Sequence, residues 1–340
     1  MSPQSPTADE RADSNGSVGI GVLGGAAFIA RQAVLPAIDA ADGVHLAAIS
    51  SRSGSIDGEW AHVEVDDYDD VLAHPGVDAV YLPLPNGLHE EWTIKAALAG
   101  KHVLCEKPLA PKAHAARRMA DACGERGVIL AEAWMTPFGP RWQRVLADIA
   151  ADSIGDVDRV DARFTFTIGP EASDNYRWDA QQGGGALLDV GIYTLGLPVT
   201  LWGAGAERIV VHDRENDERA APGVPVDART DATVVWPDGQ RAHVVCSFVD
   251  DEEQRLSAAG TKGTITVASE AFTGGVDARD HHIGNGDDRT VAGEGGDPYR
   301  LMVEAFGRAV RGIEPWPRPA GSAIELLELL DRIANEEVTS

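Results

Sequence analysis

Between Val18 and Glu132, short apolar runs alternate with helical patterns, and the first run, Val18–Leu23, ends on Gly24, Gly25 and Ala26. After that turn Ile29, Ala33, Val34 and Ala37 recur at the spacing of one helix face, so the opening reads as strand, tight turn and helix. His45 to Ile49, Val77 to Leu82, Val103 to Cys105 and Val128 to Glu132 read as further strands, with helices over Glu90 to Ala99 and Lys112 to Arg126. Such alternation implies right-handed crossovers and a parallel sheet, with every strand ending on one edge. Ligands bind along that edge in this architecture.

The turn needs small residues if a pyrophosphate is to approach backbone amides at a helix N-terminus, where aligned peptide dipoles favour anions. Gly24, Gly25 and Ala26 meet that need, and Phe28 and Ile29 follow them into the helix. A literal Gly-x-Gly-x-x-Gly also falls at Gly19, Gly21 and Gly24, but its first two glycines lie inside the strand, so the match is accidental. The second strand ends at Ser50, Ser51, Arg52 and Ser53, where an NAD enzyme places an acid for the ribose 2'-hydroxyl. Hydroxyls and a forked guanidinium suit a 2'-phosphate instead, so NADP is expected over NAD. The alternative leaves Arg52 as a surface residue, with Asp57 or Glu59 folding back to the ribose.

A length of 340 residues exceeds what one core usually serves, so two domains are expected. Residues 1–17 read as a disordered, polar tail, 18–137 as the nucleotide-binding domain and 138–340 as a second, α+β domain. Asp9, Glu10 and Asp13 stand where a signal peptide carries positive charge, and no apolar run approaches the roughly 20 residues needed to span a bilayer. A cytoplasmic protein is expected, without a membrane partner. The net charge of -25 repels a phosphate backbone and excludes nucleic acid as an expected partner. Cys105, Cys123 and Cys246 are odd in number and widely spaced, which suggests free thiols rather than a disulfide framework or a zinc site.

After Pro137 the pattern changes. Trp142 to Ile149 reads as a helix, and Asp161 to Ile168 alternates Ala162, Phe164, Phe166 and Ile168 on one strand face. Hairpins are expected at Thr233 to Phe248, around Pro237 to Gln240, and at Leu256 to Val267, around Thr261 and Lys262, giving a large, mostly antiparallel open sheet. The acidic stretches Asp213 to Arg219 and Asp277 to Gly296 read as loops, with His281 and His282 solvated and no metal site. Gly183, Gly184 and Gly185 allow a tight entry to a helix from Ala186 to Gly196 that stops before Pro198. On it Asp189 and Tyr193 lie one turn apart on one face, a plausible acid-base pair. Just upstream, Arg177 and Trp178 offer donors and an aromatic face to a polyhydroxylated ligand.

The stretch from Tyr81 to Pro108 holds Leu84, Pro85, Asn86 and His89 and then Glu106, Lys107 and Pro108. It resembles the Gfo/Idh/MocA oxidoreductases, as does the Asp189 to Tyr193 spacing, and the resemblance extends through Gly260 to Gly263 and Pro298-Tyr299. It implies an N-terminal Rossmann domain, with Leu84, Pro85, Asn86, His89, Glu106, Lys107 and Pro108 lining the cofactor. It further implies catalysis by Lys107, Tyr193 and Asp189, substrate contacts from Lys107, Arg177, Trp178, Asp189 and Tyr193, and a homodimer or homotetramer. The implied reaction is hydride transfer between NADP and a sugar, cyclic polyol or dihydrodiol. A nucleotide-sugar 3-ketoreductase and a non-catalytic NADP(H) sensor are the alternatives. Either Tyr193 takes the proton with Lys107 tuning it, or Lys107 relays the proton and Tyr193 is an electrophile. One departure is Thr136 to Pro140, where relatives often show Tyr-Arg-x-His-Pro.

Overall fold

Strand β1 (Val18–Leu23) is buried along its whole length and lies inside a five-stranded parallel sheet ordered β2-β1-β3-β4-β5. Its glycines are there for packing. A Cβ on Gly19 would overlap the Gly76 carbonyl oxygen, and one on Gly21 would press on the Val71 and Val77 side chains. The other strands are β2 (Val44–Ser50), β3 (Ala79–Leu82), β4 (His102–Glu106) and β5 (Leu130–Ala133). Between them run α1 (Leu35–Ala40), α2 (Tyr68–Ala73), α3 (His89–Leu98) and α4 (Ala113–Arg126). Asp67 and Asp70 form a capping box that starts α2. Because β2 and β3 flank β1, the winding reverses between β1 and β3, and the crevice at their carboxyl ends is where this fold takes a ligand.

The computed structural model describes residues 16–52, 56, 58–172, 174–219, 224–274, 280–286, 288–293 and 295–339. Residues 1–15, Ser53, Asp57 and Asp277 lie outside the described residues, so the tail, the alternative ribose contact from Asp57 and part of the second acidic stretch are not placed. The chain divides into two units. The first contains residues 16–109 and 114–134 together with Tyr299–Ala323, and so is not the contiguous 18–137 expected from the sequence. The return is made by α8 (Pro298–Val310), whose Gly307 packs against Val44 and whose Glu304 accepts from the Asp42 amide. No alternating pattern announces it, because a helix packed from a distant part of the chain leaves no local mark.

The second unit holds α5 (Pro140–Ala150), α6 (Ala186–Thr194), α7 (Gly196–Trp202) and α9 (Ala320–Asn335), the last of which begins in the first unit. It also holds an eight-stranded sheet ordered β13-β12-β11-β10-β6-β9-β8-β7. The strands are β6 (Val157–Thr165), β7 (Arg208–Asn216), β8 (Asp227–Val235), β9 (Arg241–Ser247), β10 (Glu253–Gly260), β11 (Gly263–Val267), β12 (His281–Gly284) and β13 (Arg289–Val291). Both expected hairpins are present, and among the described strands of this sheet β6–β9 is the one parallel pairing.

Three readings are corrected here. Asp213 to Asn216 belong to β7, where Arg229 pairs with Asp213, so an acidic stretch forms strand because a cross-strand cation compensates it. His281 is not solvated: it is buried on β12, and its ring meets Asp148 at 2.9 Å. The helix carrying Tyr193 ends at Thr194, and α7 follows with a bend of 49° and with Pro198 in its first turn, where the missing N–H costs nothing. No single helix among the described residues is long and apolar enough to cross a membrane.

The close approach at Gly19 predicts that Gly19→Ala lowers stability by about 1–3 kcal/mol. Gly124→Ala, in α4 with open space around it, should raise stability by about 0.5–1 kcal/mol. Thermal melts of the two variants beside the parent check both signs.

Candidate functional site

The candidate residues fall on both units, and each set has its own construction. At the end of β1 Gly24 takes φ +108°, a conformation that disfavours any side chain, and a Cβ there would touch Leu84 at 3.1 Å. The amides of Gly24 and Gly25 both donate to the Ser50 carbonyl, at 2.8 and 3.0 Å. This corrects the expected role of the two glycines. Their amides fasten the turn to β2, and Ala26, Phe28 and Ile29 follow at the helix start, where Phe28 is 80 % exposed.

Arg52, at the end of β2, stacks its guanidinium over two rings, with its carbon 4.6 Å from the Tyr68 centroid and 5.0 Å from that of Trp92. The rings meet edge to face at 5.0 Å, so they form a corner that holds the plane of the exposed guanidinium. Ser51 precedes it half-buried, and Glu64, which bridges Ile49 at this strand end, is engaged by the Ile56 amide at 3.3 Å. An exposed, stacked fork beside a glycine turn at the switch point of a parallel sheet fits an NADP 2'-phosphate.

The strand ends β3 and β4 are tied together from below. His89 is 0 % exposed, and its two ring nitrogens face the carbonyl oxygens of Leu84 at 2.9 Å and Pro108 at 3.1 Å. Burial pushes His89 down to about 4, so the ring is neutral and donates one N–H. His89 therefore offers no surface to a cofactor, and the expectation that it lines one is replaced by a staple between two ligand-edge loops. Leu84 and Asn86 are likewise buried, with Pro85 half-buried. Glu106 accepts from the Tyr81 hydroxyl at 2.7 Å and from the Lys107 amide at 3.2 Å, and the Lys107–Pro108 bond is cis. Removal from water raises the Glu106 carboxyl to about 7, against the pull of the Tyr81 hydrogen bond and the Lys107 ammonium.

A second buried carboxylate, Glu132, accepts from the Leu109 amide at 3.1 Å and pairs with Arg318 at 3.4 Å, and Arg318 in turn stacks on Trp134. Both carboxyls act electrostatically on Lys107. Glu132 and Arg318 carried no signal in the sequence as site residues: one ends a strand pattern and the other comes from the distant return of the chain.

In the second unit α6 is apolar on nearly every side and lies across β6, β8 and β9. Asp189 and Tyr193 are both buried on it. The Tyr193 ring leans edge-on against Phe164 at 5.2 Å and lies 6.1 Å from Phe272, which stacks on Phe164 at 5.6 Å. Thr136, within the stretch that departs from the expected Tyr-Arg-x-His-Pro, donates its hydroxyl to the Phe272 carbonyl at 2.7 Å, so that stretch anchors one wall of the aromatic cluster. Arg177 donates its Nε to Asp189 at 2.8 Å and attracts an ionised Tyr193. Trp178 is corrected: at 2 % exposure it packs edge-on to Phe248 at 5.6 Å with Arg219 stacked 3.8 Å above it, and so is core rather than a ligand surface.

Comparison with known proteins adds the following. Residues 18–133 match a model described as oxidoreductase family, NAD-binding Rossmann fold, and residues 142–266 match the GFO/IDH/MocA C-terminal domain. A D-xylose 1-dehydrogenase (NADP(+)) from Haloferax volcanii is 34% identical over 321 residues, covering 92% of this chain and 95% of that protein. A dTDP-3,4-didehydro-2,6-dideoxy-alpha-D-glucose 3-reductase from Streptomyces violaceoruber is 41% identical over 189 residues, 54% of each chain. Among solved structures, a 3-ketoreductase from Actinomadura kijaniata in complex with NADP and TDP-benzene superposes with a TM-score of 0.84 at 28% identity, covering 94% of this chain and 97% of that one.

The buried Glu106 makes a signed prediction. Its folded value, about 7, lies above the ordinary carboxyl value of 4.5, so the folded state holds a proton that the unfolded state has lost between these values. Stability is thus lost as pH rises from about 4.5 to 7, by up to about 3 kcal/mol. Glu106→Gln mimics the protonated form and should equal the parent near pH 4.5 but melt higher above pH 7; equal melting at both values would refute this.

Proposed function

The chain belongs to the GFO/IDH/MocA oxidoreductase family, and from that premise we propose an NADP-dependent dehydrogenase or reductase acting on a CH–OH carbon of a sugar, cyclic polyol or dihydrodiol. The observation that carries this reading is Tyr193, fixed by aromatic rings on a buried helix, one turn from an ion-paired Asp189 and within the field of Arg177. The Gly24 turn, the helix start at Phe28 and the stacked Arg52 would hold the cofactor, which when bound supplies the hydride acceptor or donor.

In the oxidative direction the substrate carbon gives up a hydride, and Tyr193 takes the proton of its hydroxyl, leaving a carbonyl. In reduction Tyr193 returns that proton. A free phenol ionises near 10, so a proton acceptor of this kind needs cations beside it. Arg177 is paired with Asp189, which offsets its charge, so the cation proposed for this task is Lys107, which would donate to the reacting oxygen.

The relatives favour a second substrate reading, a nucleotide-sugar 3-ketoreductase. D-Xylose oxidised at carbon 1 and a 3,4-didehydro sugar reduced at carbon 3 share one feature: the carbon next to the reacting one also bears an oxygen. Either substrate suits the same proton chemistry. We further propose a homo-oligomer built on the sheet face carrying Arg229, Asp231 and Thr233, opposite buried Ala228, Thr230 and Ala232. A single-chain mass by light scattering would remove that assembly.

Nicotinamide absorbance assays over aldoses, polyols, dihydrodiols and dTDP-sugars test the reading. Tyr193→Phe and Lys107→Ala should each lower kcat by about 10²–10⁴-fold, and Arg52→Ala should raise KM for NADP+ at least about tenfold while leaving NAD+ unchanged. Full activity in both of the first two variants would overturn the assignment.

A further inference from the structure

Helix α6, which carries Asp189 and Tyr193, begins without a side-chain cap of its own. Its N-cap residue is Gly185, and the next two, Ala186 and Leu187, are 0% and 3% exposed, so the first amides of the helix cannot turn to water. A buried amide without an acceptor is costly. Gly185 takes φ +114°, which disfavours any side chain, and a Cβ there would come within 2.4 Å of Asp227 Oδ1. A carboxyl from β8 thus stands where an N-cap side chain would lie. Asp227 Oδ2 accepts from the Leu187 amide at 2.8 Å and from the Thr230 hydroxyl at 2.9 Å. Leu187 is the second residue of the helix, and its amide is one that an N-cap side chain ordinarily bonds.

The turn held in this way is the one that bears the proposed chemistry. The Gly185 amide donates to the Arg177 carbonyl at 3.0 Å, the Asp189 amide donates to the Gly185 carbonyl at 3.1 Å, and Arg177 Nε closes the loop on Asp189 Oδ2 at 2.8 Å. Tyr193 follows one turn after Asp189. Fixing Leu187 therefore fixes the direction in which α6 leaves the Arg177 turn, and with it both side chains.

Charge makes this cap strong and also conditional. An ionised carboxylate accepts a stronger bond from an amide than a neutral group does, and it meets the positive end of the helix dipole. Burial opposes ionisation and pushes the Asp227 carboxyl up to about 6, against the pull of the Leu187 amide, the Thr230 hydroxyl and the Arg214 guanidinium of β7. Lys112 and Asp331 of α9 line the same cavity as Asp227 and are bonded to each other at 2.9 Å, while Asp227, Asp189 and Asp231 all act on the buried Cys246 thiol of β9. Because the folded value lies above the ordinary 3.8, stability is lost as pH rises from about 3.8 to 6, and the ionised cap is kept at that cost. We propose that Asp227 is a positioning residue for the reaction, a carboxylate lent by β8 that caps α6 in place of the side chain Gly185 lacks and so sets where Asp189 and Tyr193 stand. This rests on the reading of Tyr193 as the proton carrier.

The test uses the full chain, the best substrate found in the nicotinamide assays, and the variants Asp227→Asn and Asp227→Ala. Asp227→Asn keeps the shape and one acceptor oxygen but no charge; at about pH 8 it should melt no lower than the parent while its kcat falls about tenfold. Asp227→Ala should lose about 100-fold in kcat, with the KM for NADP+ within about twofold of the parent in both variants. The kcat of the parent should fall as pH drops through about 6, and that limb should be missing from Asp227→Asn. Hydrogen exchange read by mass spectrometry needs no turnover: peptides covering residues 183–194 should exchange at least about tenfold faster in Asp227→Asn, with those covering β1 to β5 unchanged. Parent-like kcat in both variants, parent-like exchange over 183–194, or activity lost in step with a lower melting temperature in Asp227→Asn overturns the proposal. If the parent turns over no substrate, faster exchange in Asp227→Asn supports the cap, and it is the oxidoreductase reading that fails.

Discussion

Everything at the nucleotide edge depends on β1 being able to lie, without side chains at two positions, in the middle of a parallel sheet. Gly19 accepts the Gly76 carbonyl and Gly21 accepts Val71 and Val77, so α2 and the turn before β3 close directly on the strand. Parallel pairing then sends the ends of β1, β2, β3 and β4 to one edge. The Ser50 carbonyl, taking two amides from Gly24 and Gly25, locks the end of β1 to the end of β2, and His89 locks the end of β3 to that of β4. Four loops of unrelated sequence thus hold fixed positions relative to one another within this unit before any ligand is considered.

Buried carboxyls set the electrostatics of both halves, and each is dealt with differently. Asp189 stays beside a guanidinium; Glu132 has a cation and a backbone amide; Glu106 has a phenol and an amide but no side-chain cation bonded to it. Burial favours the neutral acid and raises both Glu106, to about 7, and Glu132, where the Arg318 cation and the Leu109 amide pull the other way. Paired carboxylates instead fix the orientation of their cations. Arg177 and Arg318 are therefore positioned by charge, as Arg52 is by aromatic faces.

The alternation that defines the first unit was legible because each strand there is short, apolar and bounded by turn residues, and the bounds of β1 follow directly from Gly24. Both hairpins of the second unit were legible, one through the turn Pro237 to Gln240 with its Asp238-Gly239 and the other around Thr261-Lys262. What escaped had long-range causes. β7 reads as a loop until Arg229 is placed opposite Asp213, and α9 and the return of α8 follow from packing partners far away in sequence. At the site, Lys107, Asp189, Tyr193, Arg52 and Arg177 were nameable from motif and chemistry. His89 and Trp178 were named for their residue types, yet their burial is a tertiary fact: an imidazole is as good a staple between carbonyls as a ligand contact, and an indole as good a core as a sugar platform. Phe272, Glu132 and Arg318 gave no local pattern to read.

A chain of net charge -25 that binds a phosphorylated cofactor must do so with local donors, because its overall field opposes the ligand. Screening confines that opposition to about 8–10 Å at physiological salt, so what matters is the charge within the crevice. At the end of β2 the guanidinium of Arg52 is oriented by Tyr68 and Trp92, with no carboxylate partner among the described residues. The contrast with Arg177 is instructive: a cation stacked on rings keeps its full charge for an anion, whereas a cation bonded to Asp189 keeps its geometry but gives up its charge. The two arginines share a fork of donors and differ in net charge.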